Sequence, residues 1–555
     1  QVTVEIDQAQ VEQAARWDPS QRSRWVGDVL SPNALPDAEA YKAIVRKRLG
    51  DGKLRPFQTA AAEKAGRVTL LRAGCGTGKT LAAYHWAAHH GDGRRLFVCY
   101  PTTGTATEGF RDYLLDPPLV ADAEKLRTDL AHGRRKVDFK HILNAGDEDR
   151  AASLARIESL DLWRTPVVAC TVDTVLGLVQ NNRRGLMSWP AIAQAAFVFD
   201  EIHAYDSRLF DALLHFLQAM RGMPVLLMTA SLPQQRLQAI KQVLALGDES
   251  LVEVEGPTQL ERLSRYRRDG DKTNAAERIG QELQAGGKVL RVCNTVRRAM
   301  ALCDPEAAEL TPDSLADQQP LIYHSRFRYR DRVLRHQDVM QAFDTDGAAL
   351  AVCTQVAEMS LDISATLLVT DLAPVPALIQ RLGRLNRRAD KHSDPVKPFI
   401  VVDPLGPDGK FSPLPYREDE LEQARAWLEK LGDGELSQAD LAEAWEQMQA
   451  EQDSELPPRG HSAWLDFGPE TPVLELREGT PGVTVVWEPD LPALASGEVT
   501  LPEVAIPMPV PPPKAGDHRF EWQVEGYNGT CHGVPVAKKD AIDYDEQRGA
   551  RWQVS

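Results

Sequence analysis

No stretch of the 555-residue chain keeps about 18 apolar residues together without interruption, so no membrane-spanning helix is expected. A basic-then-apolar leader is missing too: Gln1 to Asp18 is polar and acidic, and no lipidation motif appears. Seven cysteines (Cys75, Cys99, Cys170, Cys293, Cys303, Cys353 and Cys531) form no CxxC pair, and several lie in apolar runs such as LFVCY and LAVCT. A disulfide framework or zinc site is therefore disfavoured, and a reduced, cytoplasmic protein with buried thiols is expected. Positive charge is also scarce. The 64 Lys and Arg against 80 Asp and Glu leave a net charge of −16, which argues against a simple nucleic-acid coat protein unless the bases cluster.

What the chain has is length: at about 100–200 residues per domain it allows roughly three to five domains. Its 43% apolar and 26% charged residues are those of a globular protein rather than a disordered chain. From Val68 to Asp403, short apolar runs alternate with helical patterns. VTLLRA (68–73), RLFVCYPT (95–102), PVVACT (166–171), AAFVFDE (195–201) and PVLLMTAS (224–231) form a first set. GKVLRVCN (287–294), ALAVCTQ (349–355) and ATLLVTD (365–371) form a second. Such runs read as strands buried on both faces of parallel sheets, so the fold class is α/β with two doubly wound lobes. The expected division is an extension over 1–50, a first lobe over 51–250, a second over 251–405 and an accessory region over 406–555. Residues 417–455 carry thirteen acidic against three basic side chains, with apolar residues at helical spacing. They read as two helices with a solvated acidic face, the second starting at a Ser437–Asp440 capping pair. PMPVPPPK (507–514) reads as an extended linker or edge segment.

The sharpest local signal is Ala73-Gly74-Cys75-Gly76-Thr77-Gly78-Lys79-Thr80, between a strand and the helix LAAYHWAAHH. Its glycines let backbone N–H groups curl around phosphate at a helix amino terminus. Lys79 would pair with the β- and γ-phosphates and Thr80 would hold Mg²⁺. The strict pattern is missed by one residue, Ala73 standing for its first Gly. Asp200-Glu201-Ile202-His203 follows the strand AAFVF, where Asp200 can hold Mg²⁺ and Glu201 can polarise the attacking water. Gln380-Arg381-Leu382-Gly383-Arg384-Leu385-Asn386-Arg387 places Arg384 and Arg387 three apart, on one face of an expected helix. From a second lobe they could reach a γ-phosphate.

Together these blocks resemble a superfamily 2 helicase over about residues 50–405, which implies two RecA-like lobes and ATP with Mg²⁺ as cofactors. Gln58 resembles the adenine-reading glutamine, and Gly74, Gly76, Thr77, Gly78, Lys79 and Thr80 the phosphate loop. Pro101-Thr102-Thr103 resembles motif Ia, Thr171-Val172-Asp173-Thr174 motif Ib and Thr229-Ala230-Ser231 motif III. Thr354-Gln355-Val356-Ala357-Glu358, with Asp362 beyond, resembles motif V. QRLGRLNR resembles motif VI, with Gln380 in the catalytic set and Arg384 and Arg387 as arginine fingers. His324-Ser325-Arg326-Phe327, Asp371-Leu372-Ala373-Pro374 and the motif VI block narrow the resemblance to the CRISPR-associated helicase–nuclease of type I systems. That family implies recruitment by a crRNA-guided Cascade complex and 3′→5′ traction on the displaced, non-target DNA strand.

One departure is large. The nuclease of that family needs a His-Asp doublet for a di-metal centre, and none of the thirteen histidines here is followed by Asp. The HD nuclease is therefore expected on a separate polypeptide or outside this stretch. Arginines and lysines over 262–298 and 326–335 form a candidate strand track, with Tyr266 and Phe327 as candidate stacking partners. Thr102, Thr103, Thr171, Arg326 and Thr354 are the expected single-stranded DNA contacts, made to the backbone. A DEAH-like RNA or DNA-repair helicase, and an ATP-clamped scaffold that recruits a nuclease, stay open as alternatives.

Overall fold

The computed structural model describes residues 35–64, 66–101, 128–131, 163, 165–180, 183–270, 275–304, 319–359, 361–406, 409–450, 482–496, 498–499, 501–509, 520–521 and 535–553. Thr102, Thr103, Lys272, Cys531, residues 1–34 of the expected extension and 510–514 of the proline-rich segment lie outside them.

Seven strands build the first sheet: β1 (Val68–Arg72), β2 (Arg95–Tyr100), β3 (Thr128–Ala131), β4 (Val167–Thr171), β5 (Ala195–Phe199), β6 (Val225–Thr229) and β7 (Leu251–Glu255). They lie in the order β3-β4-β2-β5-β6-β1-β7, all parallel. Side chains alternate faces along a strand, so an unbroken apolar run feeds two cores at once. Phe97, Cys99, Val168, Cys170, Phe197 and Phe199 pack on one side, against the Ser207–Ala219 helix. Leu96, Val98, Val167, Ala169, Ala196 and Val198 pack on the other, against the Lys79–His90 helix.

The second sheet contains β8 (Tyr266–Arg268), β9 (Lys288–Val292), β10 (Leu321–Tyr323), β11 (Ala349–Cys353), β12 (Leu367–Asp371), β13 (Lys397–Val402) and β14 (Glu435–Leu436). Its order is β10-β11-β9-β12-β13-β8-β14, and only β14 runs antiparallel. Two expected boundaries move. β7 pairs with β1, so the first lobe continues to Glu255 rather than ending at 250. The acidic pair, Glu418–Leu431 and Gln438–Ala450, belongs to the second lobe rather than to an accessory region. Leu421, Trp427, Leu428, Leu441 and Trp445 bury into that lobe's core with Leu290, Leu368 and Leu378. Ser437 and Asp440 cap the second of these helices reciprocally, at 2.7 and 3.2 Å.

A smaller unit follows: β15 (Gly482–Trp487), β16 (Ile506–Pro509), β17 (Phe520–Glu521) and β18 (Val536–Ala537), then the hairpin β19 (Ile542–Asp545) and β20 (Gly549–Trp552). β16 is an edge strand, so the described part of the proline-rich segment takes the edge role. The hairpin docks on the His324–Arg328 block. Ala550 N–H donates to the Arg326 carbonyl at 2.7 Å, and Arg328 pairs with Asp490 at 2.7 Å and covers the Tyr544 and Trp487 rings. Phe327 is fully buried and stacks on His324, and Tyr266 is 1% exposed. Neither aromatic can stack on a base, which corrects that expectation: both side chains point into the fold.

His324 gives this docking a pH dependence. Its Nε2–H donates to the Arg548 carbonyl at 2.9 Å while Nδ1 accepts from Arg326 N–H at 3.1 Å, the pattern of a neutral ring. Burial drives its pKa down to about 3, with the Arg326 and Arg332 charges adding to the effect and the Arg548 bond opposing it. An unfolded histidine takes up its proton near pH 6.5 and this one only near 3, so stability is lost as pH falls through that window. From pH 7.5 to 5 the expected loss is about 2 kcal/mol. Urea midpoints at the two pH values should separate less in His324→Gln than in the wild type; equal separation would remove His324 from the account.

Candidate active site between the lobes

β1 runs directly into Ala73–Thr80, and the Lys79–His90 helix rises from it. Gly78 sits at φ 95°, and a side chain there would meet Gln58 Nε2 at 2.8 Å. Gln58 is buried, with its carboxamide engaged at both ends: it donates to the Gly78 carbonyl at 3.0 Å and accepts from Arg55 N–H at 2.8 Å. Arg55, which the sequence did not single out, also donates to the Thr77 carbonyl. Thr77 Oγ1 donates to the Gly74 carbonyl at 2.8 Å, tightening the loop from within.

Gly76, Gly78, Lys79, Thr80, Asp200 and Glu201 line one cavity of about 550 Å³, and Asp362, Gln380, Arg384 and Arg387 line its second-lobe wall. Lys79 Nζ lies 3.1 Å from Glu201 Oε1. Burial opposes both charges, yet each favours the other: Glu201 holds the Lys79 pKa up, and Lys79 holds the Glu201 pKa down with help from His203 and Arg384. Glu201 stands at φ 49°, a left-handed conformation that a non-glycine residue adopts only where its surroundings enforce it.

Asp200 is 9% exposed, and burial followed by the Glu201 charge pushes its pKa up to about 7. A carboxylate in that position needs a cation. Thr80 shares its cavity and carries a hydroxyl suited to a hard divalent ion, so the pair fits Mg²⁺.

His203 joins the lobes. Its Nδ1 lies 3.1 Å from Thr229 Oγ1 and 3.3 Å from Glu201 Oε2, and its Nε2 lies 2.6 Å from Gln380 Nε2. Thr229 Oγ1 spends its proton on the Ser231 carbonyl at 2.5 Å, so Nδ1 carries the ring proton and Nε2 accepts from the Gln380 amide. Burial keeps that ring neutral, its pKa lowered to about 4 despite Glu201. Gln380 Oε1 in turn lies 3.7 Å from Cys75 Sγ in the phosphate loop.

Arg384 and Arg387 do not share a helix face, which corrects the expectation from their spacing. The Val375–Leu382 helix ends at Gly383, and Asn386 at φ 50° turns the chain away, its Nδ2 donating to the Arg265 and Pro395 carbonyls. Arg384 instead donates to the Ala357 and Glu358 carbonyls at 3.0 and 2.7 Å, and Arg387 pairs with Asp362 at 2.7 Å. Arg381, fully buried, pairs with Glu358 at 2.8 Å and ties the helix to β12 through Thr370 and Asp371.

The expected strand track thins out. Arg265, Arg291 and Arg328 are buried and bound within the fold, and Arg262, Arg267, Arg278 and Arg335 pair with Glu443, Glu435, Asp269 and Asp338. Arg326 is different. It lines a cavity of about 790 Å³ with Arg297, Arg548, Arg551 and Trp552, between the second lobe and the hairpin. Thr171 and Thr354 lie at the ends of β4 and β11 and are buried.

A parallel-sheet lobe with a phosphate loop and an acidic box, facing the arginines of a second such lobe, is the cleft of a two-lobed helicase ATPase. The family model described as DEAD/DEAH box helicase matches residues 55–240, and that described as CRISPR-associated nuclease/helicase Cas3, C-terminal, matches 285–390. A putative CRISPR-associated nuclease/helicase Cas3 of Myxococcus xanthus is 46% identical over 96% of this chain and 68% of its own length. The CRISPR-associated endonuclease/helicase Cas3 of Thermus thermophilus is 29% identical over 59% of this chain and 44% of its own length. This chain belongs to the CRISPR-associated nuclease/helicase Cas3 family. Its fold is that of the crystal structure titled T. fusca Cas3-ATP, at a TM-score of 0.68 and 19% identity over 96% of this chain and 74% of that one. A chain in the structure titled CRISPR RNA-guided surveillance complex, pre-nicking, matches at 0.55 and 17% identity, over 90% of this chain and 70% of its own.

Proposed function

We propose that this chain is the motor of type I CRISPR interference: an ATP-driven translocase that pulls the displaced, non-target DNA strand 3′→5′. A crRNA-guided Cascade complex recruits it, and the strand is fed to an HD nuclease located elsewhere. The observation that carries this reading is the meeting of Lys79, Asp200 and Glu201 from one lobe with Gln380, Arg384 and Arg387 from the other on a single cavity.

The chemistry follows from what those side chains do now. An incoming γ-phosphate competes with Glu201 for Lys79 and takes the lysine, leaving the Glu201 carboxylate to hold and polarise the attacking water. Mg²⁺ held by Asp200 and Thr80 would neutralise charge developing on the phosphate oxygens. Arg384 leaves the Ala357 and Glu358 carbonyls for the phosphoryl group, so that hydrolysis and the β11-end loop move together. Thr354 follows β11 and Thr171 ends β4, and with both side chains buried a grip on the strand there needs the cleft to rearrange, whereas Arg326 already lines the cavity beneath the hairpin.

The test is ATP hydrolysis without nucleic acid, with single-stranded DNA and with single-stranded RNA, against Lys79→Ala as the blank. Strong stimulation by DNA, absent in the blank, is expected. Preference for RNA would overturn the CRISPR reading, and equal low turnover in all three arms would overturn the motor.

A further inference from the structure

The Gln438–Ala450 helix belongs to the second lobe by its core, yet its polar side chains enter the first. Gln438 donates from Nε2 to the Cys75 carbonyl at 3.1 Å and lies 3.3 Å from the Tyr266 hydroxyl. Two turns further on, Glu446 Oε1 accepts from the Leu232 N–H at 3.2 Å. The helix lies beyond both segments matched by the family models.

Both contacts fall on peptide groups with a second job. The Cys75 carbonyl and the Gly76 N–H belong to one planar trans peptide and point in opposite directions. Holding that carbonyl therefore aims the Gly76 N–H, and Gly76 lines the nucleotide cavity. The approach needs a glycine: a Cβ on Gly74 would stand 2.0 Å from Gln438 Oε1. From the Thr258–Glu261 turn that joins the lobes, Glu261 accepts from Gly74 N–H at 2.8 Å, so the start of the loop is gripped from the joining segment and from the second lobe. The Leu232 N–H and the Ser231 carbonyl likewise share one peptide. Glu446 takes the N–H and Thr229 Oγ1 takes the carbonyl, at 2.5 Å. Thr229 also accepts from His203, whose Nδ1 lies 3.3 Å from Glu201. An unbroken chain of polar contacts thus runs from Glu446 to the water-polarising carboxylate.

We propose that this helix is a second link between the lobes, in which Gln438 orients the Gly76 amide for phosphate and Glu446 positions Glu201 through the 231–232 peptide, Thr229 and His203. Both are positioning residues, and their roles rest on the ATPase reading above. Lobe closure then sets phosphate grip and water activation together, through contacts separate from the arginines.

The two roles predict different kinetic signatures in the full chain, measured with saturating single-stranded DNA. Gln438→Met keeps the volume and removes the donor. It should raise KM for ATP about three- to tenfold, the worth of one hydrogen bond, with kcat kept within about twofold. Glu446→Ala should lower kcat by a similar factor at unchanged KM, and Glu446→Gln, whose amide oxygen still accepts, should restore it. Unchanged constants in both variants would overturn the proposal, as would losses that merely follow a drop in Tm or a Glu446→Gln no better than Glu446→Ala. A wild type no faster than Lys79→Ala would overturn the ATPase reading itself and this proposal with it.

Discussion

Replacing Glu201 with Gln is expected to slow ATP turnover by about 10²–10⁴-fold, the usual worth of a positioned general base, while ATP still binds. The substitution preserves shape, so the left-handed turn at φ 49° and the reach toward His203 are retained. What is lost is the charge. A neutral amide neither pairs with Lys79, now 3.1 Å away, nor accepts a proton from water. Freed of that pairing, Lys79 is fully available to phosphate, so nucleotide affinity should hold or rise. Steady-state turnover and equilibrium binding of a non-hydrolysable ATP analogue, measured on the same preparation, separate the two effects. Turnover near the wild-type rate would remove Glu201 from the chemistry.

The arginines should produce an effect of the same order or larger. Arg384→Ala and Arg387→Ala are each expected to lower kcat by about 10³-fold or more, as loss of an arginine finger does. Their present partners show why the effect belongs to turnover rather than to folding. Arg384 leaves two backbone carbonyls rather than an orphaned buried charge, and Arg387 pairs with an Asp362 side chain that is 72% exposed. Arg381→Ala should behave differently. It strips a fully buried ion pair from Glu358, so it should cost about 3–5 kcal/mol of stability and reduce the yield of folded protein. Arg384→Lys should not rescue, because a point charge lacks the fork that meets two oxygens at once. Turnover of single-site variants at matched Tm decides the matter, and an Arg384→Ala enzyme with ordinary kcat would end the finger assignment.

Much of this architecture could be read from residue order, for a physical reason. A strand buried on both faces must be apolar throughout, so VTLLR, LFVCY, VVACT and AAFVF announce themselves without help from periodicity. β7 escaped because LVEVE alternates, as an edge strand with a solvated face does, and β10 and β14 are too short to carry a pattern. Site residues near a glycine-rich turn or a strand end were legible because their chemistry is local. Gln438 and Glu446 were not: a side chain that reaches across a domain interface leaves no signature in its own neighbours. The same lack of context misplaced Tyr266 and Phe327. Aromatics within a run of arginines look exposed until the strand's alternation is known, and in β8 it turns the tyrosine inward and Arg267 outward.

The parallel first sheet has a further consequence. The strands that carry chemistry, β1 and β5, deliver it at the same edge, opposite to the loops that enter them. The turn around Gly222 before β6 is exposed, as is the one around Gly347 before β11; the glycines themselves hold φ 88° and 101°, so the exposed neighbours Arg221 and Asp346 are the positions to change. One such turn lies in each lobe. They are natural attachment points for a pair of dyes, through which the opening and closing of a single working molecule can be watched from behind, with its cleft untouched.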